Sequence, residues 1–174
     1  SFDRLTRLAS QILEAPVALV SLVDSNRQYF KSQIGLPEPT ATKRETPLSH
    51  SFCQHAVANA RPLVINDARE HALVQDNLAI RDLNVIAYLG IPMITSSGHA
   101  IGSFCVIDDK PREWTDNQID LLKDLTASVM TEVELRAEII ERERIADVLH
   151  ERNVFIDAVL SHLPGIVYTA DINT

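Results

Sequence analysis

Val17-Ala-Leu-Val-Ser-Leu-Val23 is followed at once by Asp24-Ser-Asn26 and then by Gln28-Tyr-Phe-Lys-Ser-Gln-Ile34. The first run is short, apolar and rich in β-branched side chains, which fits a buried strand better than a helix. Asp, Ser and Asn supply turn chemistry, because their short polar side chains bond the backbone a residue or two further on. A link this short joins antiparallel neighbours, whereas a parallel crossover needs about a dozen residues or more. The chain therefore carries an antiparallel hairpin over 17–34, and the remaining elements are placed around it.

Upstream, Phe2, Leu5, Leu8, Ala9, Ile12 and Leu13 recur at three- and four-residue steps, an amphipathic helix that stops before Pro16. Downstream, 37–47 holds three prolines and no apolar period, which predicts a loop. Ser49 is placed to cap a helix through Phe52, Cys53, Ala56 and Val57, closed by Arg61-Pro62. Leu63-Val-Ile65 reads as a short strand, and 68–82 as polar loop with irregular helix. Strands are expected over 85–94 and 100–107, joined by the Gly-containing loop Thr95-Ser-Ser-Gly-His99. At Trp114-Thr-Asp-Asn-Gln-Ile119, Thr115 and Gln118 form a capping box while Trp114 and Ile119 occupy the hydrophobic-staple positions. A helix begins there and is expected to reach about residue 162 with one break or bend. The result is an α+β fold, a central antiparallel sheet flanked by helices with a long C-terminal helix.

Composition narrows the function. With 174 residues and 45% hydrophobic content there is room for one packed domain and a connector. A net charge of -8 repels polyanions, which argues against nucleic acid as a partner. No apolar run approaches the roughly 18 residues of a membrane span, so direct membrane insertion is not expected. No secretory leader is visible at Ser1, and the chain reads as a piece of a longer one. Cys53 and Cys105 both stand among apolar residues, where a thiol serves as a small hydrophobe, and a reduced cytoplasmic location fits them.

Six stretches, taken in order, resemble a GAF domain over residues 2–137. They are Val17-Ala-Leu-Val-Ser-Leu-Val-Asp24 with Gln28-Tyr-Phe-Lys-Ser-Gln-Ile-Gly35, then Ser51-Phe-Cys-Gln-His-Ala-Val57, then Leu63-Val-Ile-Asn-Asp-Ala-Arg69, and finally Ala87-Tyr-Leu-Gly-Ile-Pro-Met93 with Gly102-Ser-Phe-Cys-Val-Ile-Asp108. The resemblance implies terminal helices on one face of the sheet, a small-molecule pocket on the other, and a parallel homodimer. It divides the chain into a GAF sensory domain over 1–137 and a helical linker over 138–152. Residues 153–174 are similar to the start of a PAS domain, whose first strand over 166–174 would be incomplete without its partners.

Candidate pocket residues are Phe52, Cys53, Asp67, Ile80, Tyr88, Phe104 and Cys105. Alternation along 100–107 sets Ile101, Ser103, Cys105 and Ile107 against Gly102, Phe104 and Val106, and leaves open which set faces the pocket. The dimer is expected to use Leu5, Leu8, Ile12, Leu122, Leu125, Val129, Val133 and Ile140. His50, Cys53 and His55 include metal-ligand types, but a regular helix cannot aim all three at one point. Some relatives attach a bilin through a pocket cysteine followed by His; Gln54 stands there instead, so no cofactor is expected, with bilin and haem as minor alternatives. His150 and His162 are read as solvated rather than phosphoacceptor histidines, and no catalytic residue is assigned. The leading reading is a sensory module that binds an unknown small ligand and relays its state through the helix to a histidine kinase or cyclic-dinucleotide enzyme. A structural dimerisation module with a self-filled pocket is the alternative, and a thiol-based redox sensor or reductase the third.

Overall fold

The turn at 24–26 forms as its chemistry dictates: Asp24 Oδ1 accepts the backbone N–H groups of Asn26 and Arg27 at 2.8 Å each. The computed structural model describes residues 1–162. Their elements are α1 (Phe2–Ile12), β1 (Val17–Val23), β2 (Arg27–Ile34), α2 (Thr40–Lys43), β3 (Glu45–Pro47), a 3-10 turn (Leu48–His50), α3 (Cys53–Asn59), β4 (Leu63–Ile65), α4 (Leu78–Leu83), β5 (Ala87–Ile94), β6 (Ala100–Asp108) and α5 (Asp116–His162). All strand pairs are antiparallel, in the order β3-β2-β1-β6-β5-β4. The 17–34 hairpin thus supplies two strands of a six-stranded sheet, closed at its centre by β1 against β6.

Three local expectations are corrected. The proline-rich 37–47 stretch is not loop throughout: it holds α2 and the edge strand β3. Pro47 ends that edge strand, where a missing N–H removes no bond the sheet needs. Ser49 does not cap α3 but lies in the preceding 3-10 turn; Ser51 Oγ accepts the Gln54 N–H at 3.2 Å instead. α5 is a single α-helix without the expected break. Its capping box forms reciprocally, with Thr115 N–H to Gln118 Oε1 at 3.0 Å and Gln118 N–H to Thr115 Oγ1 at 3.3 Å.

Each sheet face has its own core. On one, α1 and the first turns of α5 bury Phe2, Ala9, Leu13, Leu122 and Val129 against Val20, Leu89, Met93, Phe104 and Val106. On the other, α3 and the 68–85 segment cover Leu19, Phe30, Ile65, Tyr88, Cys105 and Ile107. A β-bulge lets β1 serve both: its register on β2 shifts between Val20 and Ser21, so Val20 faces Ser32 while Ser21 faces Phe30. Arg112 locks the approach to α5, donating to the carbonyls of Leu13 and Glu14 and to Asp108 while its guanidinium lies 4.6 Å over the Trp114 ring.

The chain divides into one unit, Ser1–Glu134, and a second that begins at Leu135. In the first, Leu122 and Val129 are fully buried in the chain's own core, which corrects their placement at a dimer interface. The physical reason is spacing: residues seven apart share a helix face, and this is the face α5 needs to cover the sheet. Leu5, Leu125 and Val133 are half-buried against the same core, Leu8 is half-buried and Ile12 is exposed. In the second unit Ile140 is 65% exposed, and Ile145, Leu149 and Phe155 are exposed as well. The strand expected over 166–174 lies outside the described residues. Among the described residues, no helix is long and apolar enough to cross a membrane.

Candidate functional site

The α3 face of the sheet is largely apolar, and the strands dictate where its polar side chains gather. On β6, alternation turns Ser103, Cys105 and Ile107 toward α3 and Phe104 and Val106 toward the terminal helices. β1 sets Ser21 directly across from Ser103. β5 contributes Tyr88, and α3 begins at Cys53. Cys53 Sγ stands 3.7 Å from Cys105 Sγ and receives the hydroxyls of Ser21 and Tyr88 at 3.2 Å each. The Tyr88 hydroxyl is also 3.3 Å from Ser103 Oγ. Five polar side chains from four elements thus close on one another in a largely apolar core.

Gly90 makes this convergence physically allowed. It follows Tyr88 by two residues on the same face, and a Cβ there would overlap the Tyr88 ring and hydroxyl. The missing side chain is the space the phenol occupies as it crosses the sheet toward Cys53. Phe52 closes the other side of the ring, with centroids 5.4 Å apart and planes tilted by 53°.

Both cysteines are free thiols and fully buried. Their environments push them apart. Hydrogen bonding from Cys105, followed by that from Ser21, Tyr88 and Ser103, outweighs burial and lowers Cys53 to about 7. Cys105 is driven the other way by burial and by its neighbour, so it remains the protonated partner. Burial and the two thiols likewise hold Tyr88 as a neutral phenol. Near neutral pH, Cys53 is the thiol of the pair that ionises, beside a Cys105 that stays protonated.

Beside Cys53 lies a cavity of about 20 Å³, walled by Gln28, Phe30, Phe52, Cys53 and Tyr88 on the inside and by Leu36, His50 and Leu83 toward the surface. Gln28 is buried and its Oε1 has no hydrogen-bond partner in the protein. His50 Nε2 meets Asp82 Oδ2 at 3.0 Å, tying the 3-10 turn to α4 across the cavity's outer wall. Hydrogen bonds from Arg81 and then His50 hold the Asp82 carboxyl down to about 2. Outside this wall an open cleft of about 500 Å³ runs past Arg27, Lys43 and Thr46.

Of the residues expected at the pocket, Phe52, Cys53, Tyr88 and Cys105 come together. Ile80 packs against the same core but does not wall the cavity. Phe104 is corrected: alternation puts it on the opposite face, under the terminal helices. Asp67 is also corrected, because its carboxylate turns back on Arg69, binding that residue's backbone N–H at 3.1 Å and its guanidinium at 2.5 and 2.9 Å. His50, Cys53 and His55 do not converge, and among the described residues no group of three potential metal ligands does. Sequence reasoning missed Ser21 and Gln28. The available signal for Ser21 was a lone hydroxyl inside an otherwise apolar strand, a polar group that burial obliges to find a partner.

The GAF domain family model matches residues 1–133. A cyclic di-GMP phosphodiesterase of Pseudomonas aeruginosa is 30% identical over 134 residues, 76% of this chain but only 22% of that protein. The chain therefore spans less than a quarter of that curated relative. Among solved structures, the PixJ GAF domain of Thermosynechococcus elongatus in its blue-light-absorbing form aligns with a TM-score of 0.65 at 21% identity, over 86% of this chain and 90% of that one. The GAF domain of an Acinetobacter phosphoenolpyruvate-protein phosphotransferase aligns with a TM-score of 0.64 at 14% identity, over 79% and 82%. At these identities the two structures carry the fold alone. The matching family model, the six-stranded antiparallel sheet and the helices on its two faces agree, and the chain belongs to the GAF domain family.

Proposed function

We propose that this GAF domain is the regulatory module of a cytoplasmic multidomain signalling protein. In this reading it works as a parallel homodimer and passes the state of its interior site along α5 to a PAS domain and an output enzyme beyond. The observation that carries the reading is the division of labour within α5: Leu122 and Val129 are sealed into the sheet's core, while Ile139, Ile140, Ile145, Val148, Leu149, Phe155 and Ile156 are exposed. Each such side chain, if buried against a second copy, contributes about 1.5–3 kcal/mol before ordering costs. α1 adds Ile12 and half-buried Leu8. Similarity to a cyclic di-GMP phosphodiesterase favours a cyclic-dinucleotide enzyme over a histidine kinase as the output.

A cavity of about 20 Å³ holds about one water, far below the roughly 300 Å³ or more of a typical ligand pocket. A metabolite ligand would have to open the wall made by His50, Asp82 and Leu83. The same observation favours, as second reading, a dimerisation module whose pocket is filled by its own side chains.

Light scattering tests the shared element. The expected mass is twice the 19.4 kDa of the chain, and Ile145→Glu with Leu149→Glu, one turn apart on an exposed face, shifts it toward the monomer. With Glu151→Cys, a parallel pair cross-links through that position. A monomeric wild type, or a dimer that does not cross-link there, overturns the reading.

A further inference from the structure

An interior this small holds a metabolite only if its wall opens, but it permits chemistry on its own walls. We propose that Cys53 and Cys105 form a redox-responsive dithiol, oxidised to an intramolecular disulfide by hydrogen peroxide entering the cavity that Cys53 and Gln28 wall. Its effect on an output rests on the relay proposed above; its chemistry does not.

Three observations converge. The sulfur atoms already stand 3.7 Å apart, and about 1.6 Å of approach brings them to disulfide length. Their residues lie on α3 and β6, elements packed directly on one another, so the approach needs a small shift of the helix start or a side-chain rotation. The cavity admits one molecule of about water size, and nothing built on a carbon skeleton. Its buried, unpartnered Gln28 Oε1 is an acceptor waiting for an O–H donor, which a hydroperoxide supplies. The donors around Cys53 keep a thiolate fraction present near neutral pH, the form that attacks a peroxide.

The steps balance. The Cys53 thiolate attacks one oxygen of hydrogen peroxide; an S–O bond forms, the O–O bond breaks, and hydroxide leaves to be protonated to water. Cys53 is then a sulfenic acid. The Cys105 sulfur, losing its proton, attacks the Cys53 sulfur; the S–S bond forms, the S–O bond breaks, and a second water leaves. Two thiols are oxidised by two electrons and one peroxide is reduced to two waters. The disulfide removes the thiolate that the hydroxyls of Ser21 and Tyr88 address, so Tyr88 in the Tyr88–Phe52 wall keeps Ser103 as its hydroxyl partner and loses the contact to a charged sulfur.

The folded, reduced chain is exposed to hydrogen peroxide, then denatured, alkylated with iodoacetamide and analysed by intact mass and peptide mapping. The expected result is loss of two hydrogens, no alkylation, and one cross-linked peptide pair joining Cys53 to Cys105. Alkylation of both thiols, or sulfinic or sulfonic acid at Cys53 with Cys105 still free, overturns the proposal. Cumene hydroperoxide, too large for the cavity, should consume the thiols at least about tenfold more slowly; equal rates overturn the entry route. The two readings separate cleanly. A disulfide in a chain that scatters as a monomer removes the relay and leaves the dithiol, while a dimer whose thiols both alkylate removes the dithiol and leaves the relay.

Discussion

Gly90→Ala tests the packing that builds the interior site. The added methyl points at the Tyr88 ring and hydroxyl, and because both residues sit on the same face of β5 the backbone cannot turn it away. Tyr88 must therefore swing aside. Overpacking of this kind costs about 1–3 kcal/mol. Loss of the Tyr88 hydroxyl contact to Cys53 adds about 0.5–1.5 kcal/mol. Against these stands a gain of about 0.4–1 kcal/mol, because Ala has less conformational freedom than Gly to lose on folding. The net expectation is a destabilisation of about 0.5–4 kcal/mol. Trp114, the chain's single tryptophan, is buried with its Nε1 donating to the Ile65 carbonyl at 3.1 Å, so its fluorescence reports urea unfolding. The control is Tyr88→Ala, which empties the space the phenol used. In that background Gly90→Ala should be neutral or stabilising, giving a coupling of about 1–3 kcal/mol in a double-mutant cycle. A single mutant as stable as wild type, or strict additivity with Tyr88→Ala, would refute the claim that Gly90 makes room for Tyr88.

Two further outcomes are expected. Thiolate absorbance should titrate with a midpoint near the value of about 7 held by Cys53, and Tyr88→Phe, which removes a donor, should move that midpoint upward. Because folded Cys53 ionises below its unfolded value of 9.0, its contribution to stability is absent below about 7 and grows as pH rises toward 9. Cys105, held protonated in the fold, opposes further gain above that, so urea midpoints measured across this range should rise and then level or fall. Thr115→Ala should cost about 0.5–2 kcal/mol by removing the hydroxyl that accepts the Gln118 N–H at the start of α5, leaving that N–H only the Thr115 carbonyl. Urea unfolding at fixed pH checks it, and an unchanged midpoint would count against the capping role.

Local chemistry made much of the fold legible in advance. The Asp24 turn, the capping box at Thr115 and Gln118, and the loop with Gly98 at positive φ depend on neighbours in sequence, so reading neighbours was enough. Local sequence does not separate Ser49 from Ser51 as the cap, because both hydroxyls precede an apolar run and only backbone angles choose between them. β3 was missed because an edge strand of three residues has too short a run to show a period.

The candidate site depended on longer range. Strand alternation along β6 divided its side chains into two sets without saying which set met α3, since both carry apolar residues and each face of the sheet is covered. That choice decided that Cys105 belongs with Cys53, 52 positions away, and that Phe104 does not. The bulge at Val20 and Ser21 and the vacancy at Gly90 acted in the same way, each setting the aim of a side chain through contacts absent from the local sequence. The sequence by itself determined the order and type of the main elements, because hydrogen bonding in turns and caps and the period of apolar residues are local properties. Only the tertiary structure decided which faces meet and how little space remains between them, because packing density is a property of all the side chains that fill a volume together.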